Sequence, residues 1–377
     1  MTWDDRATST GYYFIDYVKK KEEGFELNDE KLRKIIIFGY KSIAKCNLSL
    51  SSINIILGGN GAGKTNFLSV FGLVKSVLNR DDCFPSPCFN SKFIFSNVCN
   101  QQNLEIKAEL IFDSFSYGFR LVPDKSDENR IVVKEEYIIH SGKKYNVSDA
   151  PPEVYECLMT ITKGQNWIIY HFNEMGNDAE IKKEHDISDD RILLHNGANL
   201  APFLLRLKTQ YKRYYNDIVS TVRLIFPSFD DFVFDPLVDN NESMLPKLRQ
   251  IGSDDILVAS QMSNGTLRFI CLTALLLQPD EVQPDIIIID EPELSLHTYT
   301  LTILAEMVKQ VLHKKQLVLS THSIELLNEF GIEDIIVADR KGAATKLRRV
   351  NQEKLKEWID DYSVGELWQK NLLGGRN

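Results

Sequence analysis

The chain of 377 residues is 43% hydrophobic and 26% charged, the composition of a folded globular protein with one or two domains. Its formal net charge of -9 excludes a protein that is basic over its whole surface, as nucleic-acid-coating proteins are, but allows a local basic patch. The sequence has no apolar run of about 18 residues, so it predicts no membrane span. Its six cysteines include no C-x-x-C pair, which predicts that there is no zinc site and that the thiols are reduced in a cytoplasmic protein.

The first 33 residues are mostly polar, and we expect them to form a loosely packed N-terminal leader that is not a signal peptide. Two strands, at 34–38 and 53–57, are predicted to follow and to be joined by a turn. The second strand is short and mostly apolar, and it leads directly into the most informative segment of the chain.

That segment, Gly58 to Thr65, reads GGNGAGKT and fits the pattern G-x-x-x-x-G-K-[ST] at every fixed position. An amphipathic helix is predicted directly after it. A strand, a glycine-rich loop and a helix N-terminus together form an anion site, because glycine lets the backbone amides turn onto phosphate oxygens. Lys64 is expected to reach the β- and γ-phosphates of a nucleotide and the Thr65 hydroxyl to bind Mg²⁺. The expected nucleotide contacts are Asn60, Gly61, Ala62, Gly63, Lys64, Thr65 and Asn66.

The middle of the chain changes character. Residues 81–100 are loop-like, and alternating apolar and polar residues over 103–140 predict an antiparallel meander. Helical patterns occupy much of 150–235, notably from Ala201 to Ile225, and the segment 166–172 is predicted to be a strand in the core of this insertion.

A basic and aromatic stretch lies within the helical pattern, from Arg206 to Tyr215. Its cations could bind phosphates and its tyrosines could stack on bases, which would make a nucleic-acid groove. A solvated helix face whose tyrosines pack inward is the favoured alternative.

A helix is predicted to open at Gln261 to Arg268 and to continue through an apolar run. Ser263 is a plausible N-cap, and Asn264 and Gly265 leave backbone amides free. The start of this helix is therefore a second place where a phosphate could bind, although locally it reads only as a capped core helix.

The run DIIIIDEPE, from Asp285 to Glu293, predicts a buried parallel strand that ends in two acids. Ligands bind at the carboxyl edge of open α/β sheets, so Asp290 is expected to hold Mg²⁺ through water, opposite Thr65, and Glu291 to orient or deprotonate an attacking water. A strand followed by an acidic turn is the alternative. A further buried strand, 316–321, would deliver His322 to the same edge, where its imidazole could bond a γ-phosphate.

Four motifs in this order resemble those of ABC-type ATPases: Walker A at 58–65, the signature at 262–268, Walker B with its glutamate at 286–291, and the switch histidine at 322. The signature reads SNGTLR, which is similar to the soluble branch of RecF-like, SMC-like and OLD ATPases. The segments 37–43, 196–200 and 361–368 also resemble that branch or a stand-alone predicted-ATPase family within it.

The resemblance implies an α/β fold: a P-loop ABC-type core with a mixed sheet, an antiparallel β subdomain and a helical insertion. It also implies that two subunits close head to tail over two ATP molecules, so that Ser263 and Gly265 touch the γ-phosphate on the partner's Lys64 loop. A Q-loop glutamine is not evident, and Gln101 and Gln102 are the nearest candidates.

The predicted organisation has four segments: a leader at 1–33, the first part of the ATPase core at 34–100, the insertion at 101–250 and the second part of the core at 251–377. With ATP and Mg²⁺ as cofactors, the leading hypothesis is an ATPase that works as a homodimer or higher oligomer and gates a separately encoded effector, as in bacterial anti-phage or toxin-like systems. A slow nucleotide-dependent scaffold and a DNA-end or recombination-repair ATPase are the alternatives, so DNA is a further candidate partner. No membrane partner is expected.

Overall fold

The computed structural model describes residues 30–79, 94–95, 104–126, 130–162, 167–235, 242–312, 315–359 and 361–375. Most of the predicted leader and of the 81–100 loop, together with Gln101 and Gln102, lies outside these residues. Residues 1–31 and 32–377 form two separate units, and every element below belongs to the second. Within the described part of the chain, no helix has the length and apolar character that crossing a bilayer requires.

The strands are β1 (Lys34–Tyr40), β2 (Ile43–Ser49), β3 (Ile53–Leu57), β4 (Ile106–Ile111), β5 (Phe115–Pro123), β6 (Ile131–His140), β7 (Lys143–Asn146), β8 (Ile169–Tyr170), β9 (His185–Asp186), β10 (Phe229–Val233), β11 (Ser243–Met244), β12 (Lys247–Gln250), β13 (Ile256–Val258), β14 (Ile286–Asp290), β15 (Gln316–Thr321), β16 (Ile335–Lys341) and β17 (Ala344–Arg349). The helices are α1 (Lys64–Asn79), α2 (Pro152–Thr162), α3 (Leu200–Gln210), α4 (Lys212–Ile225), α5 (Asn264–Leu276), α6 (Thr298–Val311), α7 (Ile324–Leu327), α8 (Lys356–Ile359) and α9 (Val364–Gln369).

The central sheet has the strand order β17-β16-β3-β15-β14-β8, and all its pairings are parallel except that of β16 with β17. Side chains on its strands alternate between two hydrophobic cores: Ile286 and Ile288 of β14 join one, and Ile287 and Ile289 join the other. This strand is therefore buried on both faces, as its isoleucine run predicts. The carboxyl ends of β3, β15, β14 and β8 meet at one edge, which positions the loops that follow them.

A second sheet is antiparallel throughout, in the order β2-β1-β4-β5-β6-β7. The predicted meander is present as β4, β5 and β6. The prediction of two strands over 34–57 was incomplete, because β1 and β2 form a hairpin before β3. The hairpin turns at Lys41, whose φ of 47° lies in the left-handed region that a lysine seldom adopts, so the residue type did not signal the turn.

The helical pattern over 201–225 is confirmed as two helices: α3 ends at Gln210 and α4 begins at Lys212, with Tyr211 between them at a φ of −132°. One prediction for the insertion needs correction. The segment 166–172 does not lie in the core of the insertion. Its described residues contribute β8, which pairs with β14 at the edge of the central sheet, and Trp167 stacks on Phe71 of α1 with ring centroids 5.6 Å apart. Two-residue strands carry too short a pattern for their sheet to be predicted from sequence.

Asp334 ends the short turn that leads into β16, and burial, reinforced by neighbouring Glu333, raises its pKa to about 6. This carboxyl ionises at lower pH in the unfolded chain than in the folded chain. The free energy of unfolding should therefore fall as pH rises from about 4 to 6. We expect Asp334→Asn to remove this loss and to raise the free energy of unfolding at pH 7 by about 1 kcal/mol, a value reduced for solvent screening. Urea unfolding of both proteins from pH 4 to 8 measures it; parallel curves would contradict the prediction.

Candidate functional site

The loop between β3 and α1 has the backbone that a phosphate site needs. Gly61 and Gly63 have φ values of 75° and 100°, in the region that glycine adopts without strain. A Cβ on Gly63 would lie 2.0 Å from the Thr345 hydroxyl oxygen, so only glycine fits there. The helix begins at Lys64, which leaves the amides of its first turn facing the loop.

The last strands and the C-terminal segment hold this loop from one side. Thr345 Oγ1 donates to the Ala62 carbonyl at 2.9 Å, Arg340 Nη1 to the Gly61 carbonyl at 3.2 Å, and the Gly59 amide to the Gly375 carbonyl at 3.0 Å. No sequence motif marks these contacts. They fix the loop before any ligand arrives, which is the preorganisation that phosphate binding by backbone amides requires.

Lys64, Glu291 and His322 meet at the carboxyl edge of the central sheet. Lys64 Nζ contacts His322 Nε2, donates to the Gly58 carbonyl at 3.2 Å, and lies 3.9 Å from Glu291 Oε1. His322 Nε2 lies 3.2 Å from the same Glu291 oxygen. Burial lowers the pKa of Lys64, against the opposing effect of Glu291, and burial together with Lys64 lowers the pKa of His322. Three of the four sequence motifs, namely Walker A, Walker B and the switch histidine, therefore contribute to one cluster.

Asp290 and Thr65 form the oxygen-rich side of the cluster. Thr65 Oγ1 lies 3.4 Å from Asp290 Oδ2, while Asp290 Oδ1 accepts a hydrogen bond from Ser320. One hydroxyl and one carboxylate oxygen suit Mg²⁺, which keeps several waters and takes phosphate oxygens as further ligands. Among the described residues, no group of three or more His, Cys, Asp or Glu side chains could hold a metal ion. A Mg²⁺ ion bound mainly by waters and phosphate oxygens does not require such a group.

Glu291 occupies a strained backbone position. Its φ is 48°, in the left-handed region, and its amide donates to both the carbonyl and the hydroxyl of Ser320, at 3.1 and 3.2 Å. Strain of this kind costs on the order of 1–3 kcal/mol and persists where the surrounding structure fixes it. Its side chain is 25% exposed, so the carboxylate can meet a water at the edge of the sheet.

Glu293 is a further residue of the cluster that the sequence analysis did not single out. Its Oε1 accepts the His322 amide at 2.7 Å and so fixes the turn that carries the histidine. Burial raises the pKa of Glu293. Among the described residues, its Oε2 is buried without a hydrogen-bond partner. The signal for this role was the acidic run DEPE itself, in which we assigned the first two acids only.

Ser263 caps α5, and its Oγ accepts the Thr266 amide at 3.0 Å. Ser263 and Asn264 are exposed, so the start of this helix faces solvent. In the described part of the subunit, no hydrogen bond joins Ser263 or Gly265 to the loop that carries Lys64. A Cβ on Gly265 would lie 2.4 Å from the Ser295 carbonyl oxygen, so this glycine allows α5 to approach the segment after β14 closely.

Arg268, in the first turns of α5, links this helix to both neighbouring segments. Its side chain is 2% exposed, its Nε donates to the Phe172 carbonyl at 2.6 Å, and its Nη1 contacts the Leu294 carbonyl. The sequence analysis counted Arg268 only as part of the signature. The structure gives it the role of joining α5 to the segment after β8 and the segment after β14.

The two other segments that resemble the predicted-ATPase family, 361–368 and 196–200, stabilise a helix end and a loop. In 361–368, Ser363 and Glu366 form a reciprocal cap at the start of α9, and Gly365 packs against Ile324, where a Cβ would lie 2.5 Å from Cγ2. In 196–200, Asn199 is fully buried. It closes the preceding loop by accepting the Leu194 amide and donating to the Asp189 and Ile192 carbonyls, at 2.8, 2.9 and 2.7 Å.

We expect Asn199→Ala to lower the free energy of unfolding by about 2–4 kcal/mol, because it removes a fully buried side chain and leaves three partly buried backbone groups of the loop without their partner. Asn196→Ala is the matched control: among the described residues, its side chain accepts one hydrogen bond, from the Ala198 amide at 3.1 Å, in a partly exposed position. Chemical denaturation of both variants measures the difference. Equal losses would mean that the loop does not depend on Asn199.

The positive charge of the basic and aromatic stretch, on α3 and α4, is partly neutralised by acidic residues. Lys208 Nζ pairs with Asp231 at 3.0 Å, and buried Tyr215 donates to the same carboxylate at 2.5 Å. Lys212 and Arg213 are exposed. The packing favours a helix face whose tyrosines point inward, with two cations left at the surface.

The chain matches one family model, described as "AAA domain, putative AbiEii toxin, Type IV TA system", over residues 53–328. None of the curated proteins matches it. The solved structures to which it is similar include an Smc head bound to the C-winged helix domain of ScpA, with 14% identity, a TM-score of 0.58, and coverage of 86% of this chain and 99% of the other.

A second similar structure is an Smc head domain with an extended coiled coil, bound to the C-terminal domain of ScpA derived from Pyrococcus furiosus. Its identity is 14%, its TM-score 0.53, and the match covers 88% of this chain and 99% of the other. At such identity the likeness shows the fold alone. That fold is of the ABC/SMC-like P-loop ATPase type, as the four motifs predict.

Proposed function

We propose that this chain, which belongs to the AAA domain family matched over 53–328, hydrolyses ATP at a head-to-tail dimer interface and uses the cycle to gate a partner protein. The observation that carries the proposal is the convergence of Lys64, Asp290, Glu291 and His322 at one edge of the central sheet. These residues come from three strand ends, and phosphoryl transfer requires positioning and charge stabilisation of this kind.

Each side chain then has a part in the reaction. Lys64 leaves its contacts with Glu291 and His322 to bind the β- and γ-phosphates, and the amides of the glycine-rich loop bind the remaining phosphate oxygens. Glu291, freed from Lys64, orients the attacking water and takes its proton as the water oxygen bonds to the γ-phosphorus. The bond between the γ-phosphorus and the bridging oxygen breaks, ADP and inorganic phosphate are the products, and His322 donates a hydrogen bond to the γ-phosphate. Thr65 and Asp290 hold Mg²⁺, which neutralises phosphate charge when it is bound.

The signature residues complete the site from a second subunit. The start of α5 is exposed and makes no hydrogen bond to its own subunit's glycine-rich loop within the described residues. A helix N-terminus stabilises negative charge placed against it. We therefore assign Ser263 and Gly265 to the γ-phosphate held by the partner subunit, so that ATP joins the two subunits.

The gated partner is proposed to be a separately encoded effector, in a toxin-like or anti-phage system. The family description, which names a toxin system, supports this role. The solved Smc heads, each bound to a domain of ScpA, support the idea that a head of this fold can hold another protein.

Two measurements on the purified chain test the proposal. The first is steady-state ATP hydrolysis with and without duplex DNA, and the second is the size of the chain in solution with and without nucleotide. Hydrolysis that is indifferent to DNA, and a dimer that appears with ATP, would support it. Nucleotide-driven assembly without turnover would favour the scaffold. Strong stimulation by DNA, lost when Lys212 and Arg213 are neutralised, would favour the repair ATPase. A chain that neither binds nor hydrolyses ATP would overturn the proposal.

A further inference from the structure

The carboxyl end of β8 brings a histidine to the nucleotide cluster. In the parallel pairing of β8 with β14, Tyr170 lies opposite Ile289. The residues that follow in the two strands, His171 and Asp290, are therefore neighbours at the same edge of the sheet. His171 Nδ1 lies 3.7 Å from Asp290 Oδ2. No motif placed His171 there, because β8 is only two residues long.

The two oxygens of Asp290 have different surroundings. Oδ1 accepts a hydrogen bond from Ser320, whereas Oδ2 faces Thr65 Oγ1 at 3.4 Å and His171 Nδ1 at 3.7 Å. Both separations are too long for good hydrogen bonds. Two ligands on neighbouring octahedral positions, each about 2.1 Å from an ion, are about 3 Å apart. Each of the two separations from Asp290 Oδ2 is therefore within about 1 Å of the spacing of neighbouring ligands on one ion.

The backbone around His171 is fixed on both sides. Its own amide donates to the His195 carbonyl at 2.9 Å, and the carbonyl of Phe172 accepts from Arg268 Nε at 2.6 Å. Tyr170 and Phe172 are both buried, whereas the His171 side chain is 38% exposed. The imidazole is thus held at an open position on a rigid backbone, which is how a metal ligand is preorganised.

We propose that His171 Nδ1 is the third protein ligand, beside Thr65 and Asp290, of the metal ion that accompanies the nucleotide. This inference rests on the proposed function. Neutral imidazole is a common ligand of transition metals, and Mn²⁺ accepts oxygen as well as imidazole nitrogen, whereas Mg²⁺ is a harder ion that prefers oxygen ligands. The site should therefore favour Mn²⁺ over Mg²⁺ more strongly than a site with Thr65 and Asp290 alone would.

The decisive experiment is pulsed electron paramagnetic resonance of Mn²⁺ and ATP bound to the full chain carrying Glu291→Gln, so that ATP is not consumed. A histidine nitrogen bound directly to Mn²⁺ gives a nitrogen hyperfine coupling, which labelling of the histidines with a second nitrogen isotope identifies. We expect this coupling to be present and to disappear when His171→Gln is added. His195→Gln is the matched control and should retain it, because His195 contacts His171 through its backbone carbonyl.

A competition between Mn²⁺ and Mg²⁺ for nucleotide binding gives a second readout. We expect His171→Gln to reduce the preference for Mn²⁺ by about tenfold, the scale on which the surroundings of a metal change its affinity. The role of His171 would be overturned if Mn²⁺ and ATP bound without a histidine coupling. It would also be overturned if the coupling survived in His171→Gln and was lost in His322→Gln. Failure of Mn²⁺ and ATP to bind while His171 is intact would instead overturn the proposed nucleotide site.

Discussion

Replacing Glu291 with glutamine is expected to lower ATP turnover by about a hundredfold to ten-thousandfold, the contribution that a positioned general base makes. Glutamine keeps the size of the side chain but cannot take a proton at neutral pH. The carboxylate lies 3.2 Å from His322 Nε2 and 3.9 Å from Lys64 Nζ, at the point where the loop after β3 meets the ends of β14 and β15.

Nucleotide binding should survive this change. The phosphates are bound by the amides of the glycine-rich loop and by Lys64, and removal of the Glu291 charge takes away a competitor for the Lys64 ammonium. The variant should therefore retain ATP and accumulate as the ATP-joined dimer. Steady-state turnover, ATP binding and mass in solution, measured on the same preparation, separate loss of chemistry from loss of folding.

Glu306→Gln is the matched control for this variant. Glu306 lies on α6, is 59% exposed, and pairs with Lys309 at 2.8 Å. An exposed pair of this kind contributes little to stability, so turnover should be unchanged. If Glu291→Gln hydrolysed ATP at the unchanged rate, Glu291 would not be the base, and Glu293, whose carboxylate lies on the same turn, would be the next residue to test.

The sequence predicted the parts of the site that lie on long, regular elements. The isoleucine run before Asp290 and the apolar run before His322 each fill a strand that is buried on both faces, so the pattern alone assigned both strands to a parallel sheet and their ends to one edge. The glycine-rich loop was identified because its glycines must adopt positive φ, as Gly63 does at 100°.

The sequence did not predict the contacts made by irregular segments. Arg268 acts through carbonyls at Phe172 and Leu294, and any residue type can supply a carbonyl, so no pattern marks these partners. His171 reaches the site through a strand too short to have a period. The bracing of the glycine-rich loop by Thr345 and Arg340 depends on how β16 and β17 pack beside β3, which only the tertiary structure determines.

A mixture of two inactive variants is expected to recover hydrolysis if the signature acts on the partner's nucleotide. Lys64→Ala removes the phosphate-binding ammonium, and Ser263→Arg places a bulky side chain at the exposed start of α5. Each variant alone breaks both sites of its dimer, so each should lose at least about a hundredfold in turnover, the scale of losing one preorganised charge-stabilising group.

Random pairing of the two variants makes half of the dimers mixed. In a mixed dimer, one site contains both lesions and the other contains neither, because each site takes Lys64 from one subunit and Ser263 from the other. Equal amounts should therefore regain about a quarter of the turnover of the unaltered protein, provided that the two symmetric sites act independently.

A mixture of Lys64→Ala with Glu291→Gln is the control that makes this result specific. Lys64 and Glu291 act on the same nucleotide from the same subunit, where their side chains lie 3.9 Å apart, so every site in that mixture carries one lesion and activity should stay absent. Recovery in the first mixture but not in the second would establish a composite site. Equal inactivity of both would mean that Ser263 does not act on the nucleotide held by the partner subunit. The exposed start of α5 would then need another role, because a capped helix end binds an anion only if another part of the protein or a partner brings the anion to it.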